Sequence, residues 1–180
     1  MATKTQNQAR ARRDSQTAAQ MIETHHDLPE ETRQKMVQLL NEQLADTFDL
    51  FSQTKQAHWN VKGPQFFQLH ELYDELAGQL LAHVDLIAER ATALGGAATG
   101  TVRMAAEATR LQEYSAGPVG SQESVQMLVE RYANMAQSTR HAIDLAEEAG
   151  DIDTTDLFTE VSREVDKALW FLEAHIQSAE

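Results

Sequence analysis

Apolar residues return every three or four positions along most of this 180-residue chain. Met36, Leu39, Leu40, Leu44, Phe48 and Phe51 share one face, which predicts a first long helix from about Pro29 to His58 or Asn60. Proline is tolerated in a first helical turn, and Glu30 and Glu31 suit the positive end of the helix dipole. Gly63-Pro64 predicts a tight turn. Phe67, Leu69, Leu72, Leu76, Leu80, Val84, Ile87 and Leu94 then mark a second helix, Phe66 to Leu94, in which Gly78 is the one breaker. Gly95, Gly96 and Gly100 end it, and residues 101–120 read as a long crossover with a short helix within 103–112. Ser121 reads as the N-cap of a third helix, with Glu123 in its first turn. Val125, Leu128, Val129, Tyr132, Met135 and Ala136 carry its apolar face to about Ala149. A turn at Gly150 leads to a last helix from about Thr155 to Gln177, with Leu157, Phe158, Val161, Val165, Leu169 and Leu172 inward. The class is all-α, a four-helix bundle of two helical hairpins joined by one crossover of bundle length.

Polarity changes at the N-terminus. Residues 1–26 read as a flexible arm, helical at most after Asp14, and 27–180 as the bundle. Lys4, Arg10, Arg12 and Arg13 give the first thirteen residues +4, leaving −17 on the rest of a chain whose formal charge is −13. A body so acidic repels phosphate and concentrates cations, so the arm is the candidate DNA element, weak and salt-sensitive with four charges. Repetition on an oligomer would strengthen it by multivalency. The chain has no cysteine, no apolar signal-peptide core and no run of the ~18 apolar residues a membrane span needs, so a cytoplasmic protein is expected.

The chemistry concentrates in the second helix. With His70 as zero on a helical wheel, Asp74 falls near ~40°, Asp85 near ~60° and Glu89 near ~100°. All four share a stripe, yet Asp74 and Asp85 are separated by roughly 16 Å of helix, so one straight helix cannot bring both clusters to one metal. The pair His70 and Glu89 and the pair Asp74 and Asp85 have the same midpoint, between Gln79 and Leu80. Two antiparallel copies crossing about a two-fold axis near Gly78 and Gln79 would set His70 and Asp74 of one against Glu89 and Asp85 of the other, twice per dimer. Imidazole with carboxylate suits iron, and zinc accepts similar donors. His83, at about −140° on the same wheel, points away from the stripe.

Around these residues the chain resembles a known family. Lys55-Gln56-Ala57-His58-Trp59-Asn60-Val61-Lys62-Gly63, then Phe67-x-x-His70-x-x-x-Asp74, then Asp85-x-x-Ala88-Glu89-Arg90, is similar to the signature of the Dps family, small ferritin-like proteins that protect DNA in starved bacteria. The likeness continues through Leu94-Gly95-Gly96 and returns in Asp166-Lys167-x-Leu169-Trp170-Phe171-Leu172-Glu173, covering residues 30–178 or so. It implies a dodecameric shell of ferritin-like bundles with ferroxidase sites at two-fold interfaces. His58, His70 and Asp74 would come from one subunit, Asp85 and Glu89 from its neighbour. The implied activity is oxidation of iron(II), with hydrogen peroxide as oxidant, ferric storage, and protection of DNA with association to the nucleoid.

Other features carry two readings. Trp59 is either an acceptor of stray oxidising equivalents or an interface aromatic, and Lys55 either orders the site or is an exposed helix residue. Asp156 and Glu160 start a helix, or line the three-fold pore that the resemblance implies. His25 and His26, with Glu23, are an accessory metal candidate in a linker. An intra-bundle ferritin site needs Glu-x-x-His pairs on inward faces, and Glu23-x-x-His26 lies outside the bundle. The remaining alternative is a DNA-compacting scaffold whose metal sites are structural or hold zinc.

Overall fold

Pro29 has no amide hydrogen to lose, and its carbonyl accepts the amide of Arg33 at 3.0 Å, so it stands at the mouth of the first helix. In the computed structural model, which describes residues 21–177, α1 spans Glu30–Asn60 and α2 Phe66–Ala93. A short α3 (Val102–Ala108) lies in the crossover, followed by α4 (Ser121–Glu148) and α5 (Ile152–Glu173). Two-residue strands, β1 (Val61–Lys62) and β2 (Val119–Gly120), pair in parallel with Val61 opposite Val119. The helices pack as two hairpins, α1 with α2 and α4 with α5. Their shared core includes Leu40, Leu44, Leu50, Leu69, Tyr73, Ile87, Leu128, Tyr132, Met135, Phe158 and Leu172, all essentially inaccessible. The all-α class and the four-helix arrangement match the sequence reading.

Polar residues of α1 explain how the crossover is laid down. Asn41 donates to the carbonyl of Ala97 and accepts from the amide of Thr99. Further along, buried Asp46 accepts the backbone amide and the guanidinium of Arg110, each at 2.8 Å, and Asp49 accepts the hydroxyl of Thr109. The chain therefore runs beside a helix of about 46 Å from its first half to its end, where β2 pairs with β1. Gly95 turns the chain out of α2 at φ +86°, and a side chain there would strike the carbonyl of Ile22 at 2.7 Å. That carbonyl belongs to the segment before α1, which is held at this corner by the Ile22 amide bonded to Gly95.

Several expectations are corrected. Ser121 is the first helical residue and not the cap, because its hydroxyl donates to the carbonyl of Lys62 at 2.8 Å and Gly120 takes the cap position. The last helix begins at Ile152, ahead of Thr155, because Asp151 caps it by accepting the amide of Thr154 at 3.1 Å. It ends at Glu173, ahead of Gln177. Phe67, one of the apolar residues that mark α2, is 67% exposed. Residues 21–29 contain no helix, and the rest of the expected arm, with Lys4, Arg10, Arg12 and Arg13, lies outside the described residues.

Candidate metal centre

The α1–α2 hairpin sets two imidazoles face to face. His58 lies in the last turn of α1 and His70 in the second turn of α2, with ring centroids 3.7 Å apart and planes 19° from parallel. Each ring bonds to the other's backbone. Nδ1 of His58 lies 2.7 Å from the carbonyl of His70, and Nδ1 of His70 lies 3.0 Å from the carbonyl of His58. A carbonyl only accepts, so both Nδ1 atoms carry hydrogen, and the basic nitrogen of each neutral ring is Nε2. A bond from Nδ1 to a backbone carbonyl fixes tautomer and orientation in metal-binding histidines. Phe66 tilts against His70 with centroids 5.2 Å apart.

Asp74, one turn beyond His70, is exposed and receives a hydrogen bond from the Lys55 ammonium at 2.5 Å. That bond holds its carboxyl below the usual carboxylate range against desolvation, assisted by the charge of Lys55. Lys55 Nζ also lies 5.7 Å from the centroid of the exposed Trp59 ring. His58 and His70 are thus stacked, and Asp74 lies one turn further along α2 with Lys55 on its carboxylate.

Asp85 and Glu89 are exposed further along the same stripe of α2 and are not brought to the histidines. Asp85 borders an open groove of about 520 Å³ lined also by Leu44, Gly78, Leu81, Ala82, Val84, Ala88 and Gly100. At Gly78 an added Cβ would meet nothing within 4 Å, and Leu81 is 48% exposed. On the wheel used above, Phe67, Gly78 and Leu81 fall at about 60°, 80° and 20°, within the ligand stripe. The stripe therefore mixes exposed apolar surface with the candidate donors and has an open centre. Among the described residues, no single copy gathers three or more His, Asp or Glu side chains able to hold a metal ion.

The other candidates are placed as follows. His83 is buried and bonds through Nε2 to Glu164 of α5 at 2.9 Å, on the side away from the stripe. His26 Nδ1 accepts the amide of Leu28, while His25 and Glu23 are exposed. Asp156 and Glu160 are exposed on the early turns of α5. Asp151 is buried, bonded to Arg90 at 2.5 Å and to Thr154, and Asp153 lies 3.5 Å from Arg90. Sequence reasoning missed Arg90, which ties the turn of α2 bearing Glu89 to the start of α5. Its partner is 61 residues away, and only its place beside a ligand hinted at the role.

A family model described as a ferritin-like domain matches residues 37–180. The DNA protection during starvation protein of Agrobacterium fabrum is 47% identical over 154 residues, covering 86% of this chain and 95% of that protein. The structure of DpsC from Streptomyces coelicolor superposes with a TM-score of 0.85 at 33% identity, over 89% of this chain and 94% of that one. That of a Vibrio cholerae Dps protein, described as a member of a broad superfamily of ferritin-like diiron-carboxylate proteins, superposes with a TM-score of 0.79 at 29% identity. It covers 83% of this chain and 94% of that one.

Proposed function

From the premise that this chain belongs to the Dps family of ferritin-like proteins, we propose that it oxidises iron(II) at sites shared between two subunits. It stores the ferric product inside a dodecameric shell and so protects DNA. Each site takes His58, His70 and Asp74 from one subunit and Asp85 and Glu89 from the other. The observation that carries this reading is the division of donors along α2, into two half-sets at opposite ends of an exposed stripe that is open at Gly78. Neither half suffices alone, and a two-fold crossing at Gly78 completes both.

The chemistry follows from the donors. Nε2 of His58 and His70 binds iron(II) without moving a proton, because both Nδ1 hydrogens are held by backbone carbonyls. Carboxylates are hard donors that favour the higher charge, so Asp74, Asp85 and Glu89 lower the cost of reaching iron(III). Two iron(II) ions each give one electron to a single hydrogen peroxide, which with two protons yields two waters and no hydroxyl radical. Asp156 and Glu160 guide iron(II) inward through a three-fold pore, and Lys4, Arg10, Arg12 and Arg13 make weak DNA contacts. The site of action is the cytoplasm, with residues 1–26 as an arm and 27–180 as the bundle.

The test is anaerobic loading of iron(II), then stoichiometric peroxide, on the parent and on His70→Ala and Asp85→Ala. Each substitution should abolish fast oxidation while leaving a folded, assembled protein. Unchanged rates in both would move the chemistry elsewhere. Tight DNA binding without fast oxidation in the parent would favour the scaffold reading instead.

A further inference from the structure

Two adjacent phenylalanines near His70 are placed very differently. Phe66 tilts against the His70 ring with centroids 5.2 Å apart, and the Lys62 ammonium lies over its own face. One flank of the histidine is thus covered from within the subunit by Phe66 and the stacked His58. Phe67, at the outer end of the stripe, is left mostly to water, 67% exposed. Its register on α2 is informative. Pairs of positions that share the midpoint between Gln79 and Leu80 run outward as Gly78 with Leu81, Asp74 with Asp85, His70 with Glu89, and Phe67 with Thr92. In a two-fold crossing each pair meets across the interface. The innermost sets the half-exposed Leu81 on the open position at Gly78. The outermost sets Phe67 on the turn that carries Glu89. Phe67 and Thr92 fall at about 60° and 40° on the wheel, either side of the midline of the stripe. Thr92 is exposed, and its hydroxyl donates to the carbonyl of Glu89 at 2.8 Å, which leaves its methyl group for an apolar neighbour. The donors are therefore bracketed by apolar contacts at both ends.

We propose that Phe67 seals the outer end of each centre against the Thr92 turn of a second copy, and in doing so holds that copy's Glu89 on the metal. The inference rests on the inter-subunit site of the preceding section. A ring packed over the stem of a ligand restricts the geometry its carboxylate can take. It also excludes water, and the apolar shell around a metal controls both solvent access and dielectric. Removing water strengthens the attraction between carboxylates and the ion. The consequence is chemical. With both irons in place, one peroxide receives two electrons within the centre. A centre that has lost one iron has a single electron to give, so iron(II) and peroxide yield iron(III), hydroxide and hydroxyl radical. Retention of both ions prevents that outcome, and Phe67 contributes to it without touching iron. It is a positioning residue.

The experiment uses full-length assembled shells, isolated by size, and zinc(II), a divalent probe without redox chemistry. Release of zinc to an excess of a coloured chelator gives a rate that assembly alone does not set. Phe67→Ala should release zinc about tenfold faster than the parent. Phe67→Leu, which keeps an apolar side chain of similar reach, should stay near the parental rate, and Phe67→Val should fall between. With iron(II) and stoichiometric peroxide, spin-trapped hydroxyl radical should rise in the same order. Phe67→Ala and Phe67→Val shells that release zinc at the parental rate, with binding still lost in His70→Ala and Asp85→Ala, overturn the role of Phe67 and leave the shared site standing. If neither variant forms shells, Phe67 is an assembly contact and the sealing role falls. Zinc binding that ignores His70 and Asp85 overturns both.

Discussion

Shells assembled from equal amounts of His70→Ala and Asp85→Ala subunits separate a shared centre from one built within a chain. In the two-fold arrangement each dimer holds two centres, and each uses His70 of one copy and Asp85 of the other. When one copy lacks His70 and the other lacks Asp85, both lesions fall on the same centre. The second centre keeps every native donor. Random pairing makes about half of all dimers mixed, and one of two centres in each is intact, so about one-quarter of the parental fast oxidation should return. Either variant alone should show only the residual rate. Co-expression with tags of different mass lets native mass spectrometry count the mixed dimers, and the recovered rate should follow half that fraction. A rate that stays at the single-variant level while mixed dimers are plainly present would refute the shared site. The split of donors on α2 would then be a solvated face and nothing more.

Other expectations follow from individual contacts. Gly78→Phe should leave the subunit folded, because nothing lies within 4 Å of that position, yet it should lower the assembled fraction in analytical ultracentrifugation. Asp151→Ala removes both the cap of α5 and the buried partner of Arg90, and should cost about 3 kcal/mol in denaturant unfolding if the loss behaves as a broken buried ion pair. Tyr132→Phe gives up one buried hydroxyl bond, to Thr54, and should cost about 1 kcal/mol by the same measurement. Deleting residues 1–13 should weaken DNA retardation at low salt, and unchanged retardation would clear the arm of that role.

What the sequence carried was whatever repeats locally. The apolar period placed the four long helices, and the glycines at 63, 95 and 150, all with positive φ, closed the first, second and third of these near the expected points. Wheel angles also gathered His70, Asp74, Asp85 and Glu89 on one stripe of α2, and the same angles account for the exposure of Phe67. It was grouped with Leu69 and Leu72 because it is apolar, although it lies at about 60°, beside Asp85, on the face a neighbour would cover. Contacts between distant segments left no such trace. Ser121 has the right chemistry for a cap, but a carbonyl 59 residues earlier in the chain claims its hydroxyl. Asp151 is an acid at the start of the same helix as Asp156 and Glu160, and burial against Arg90 sets it apart from them. For the histidines, the hairpin foretold their proximity, whereas the crossed Nδ1 bonds depend on where two carbonyls point, which residue spacing does not encode.

The parallel pairing of Val61 with Val119 bears on when the protein becomes competent. During synthesis, a chain that has emerged as far as α2 already owns every donor proposed for iron, but its hairpin has no clasp. The closing piece arrives about 26 residues after the end of α2, at the far end of the crossover, and fastens three residues beyond His58. The clasp on the end of α1 therefore waits until the crossover has been laid along the bundle.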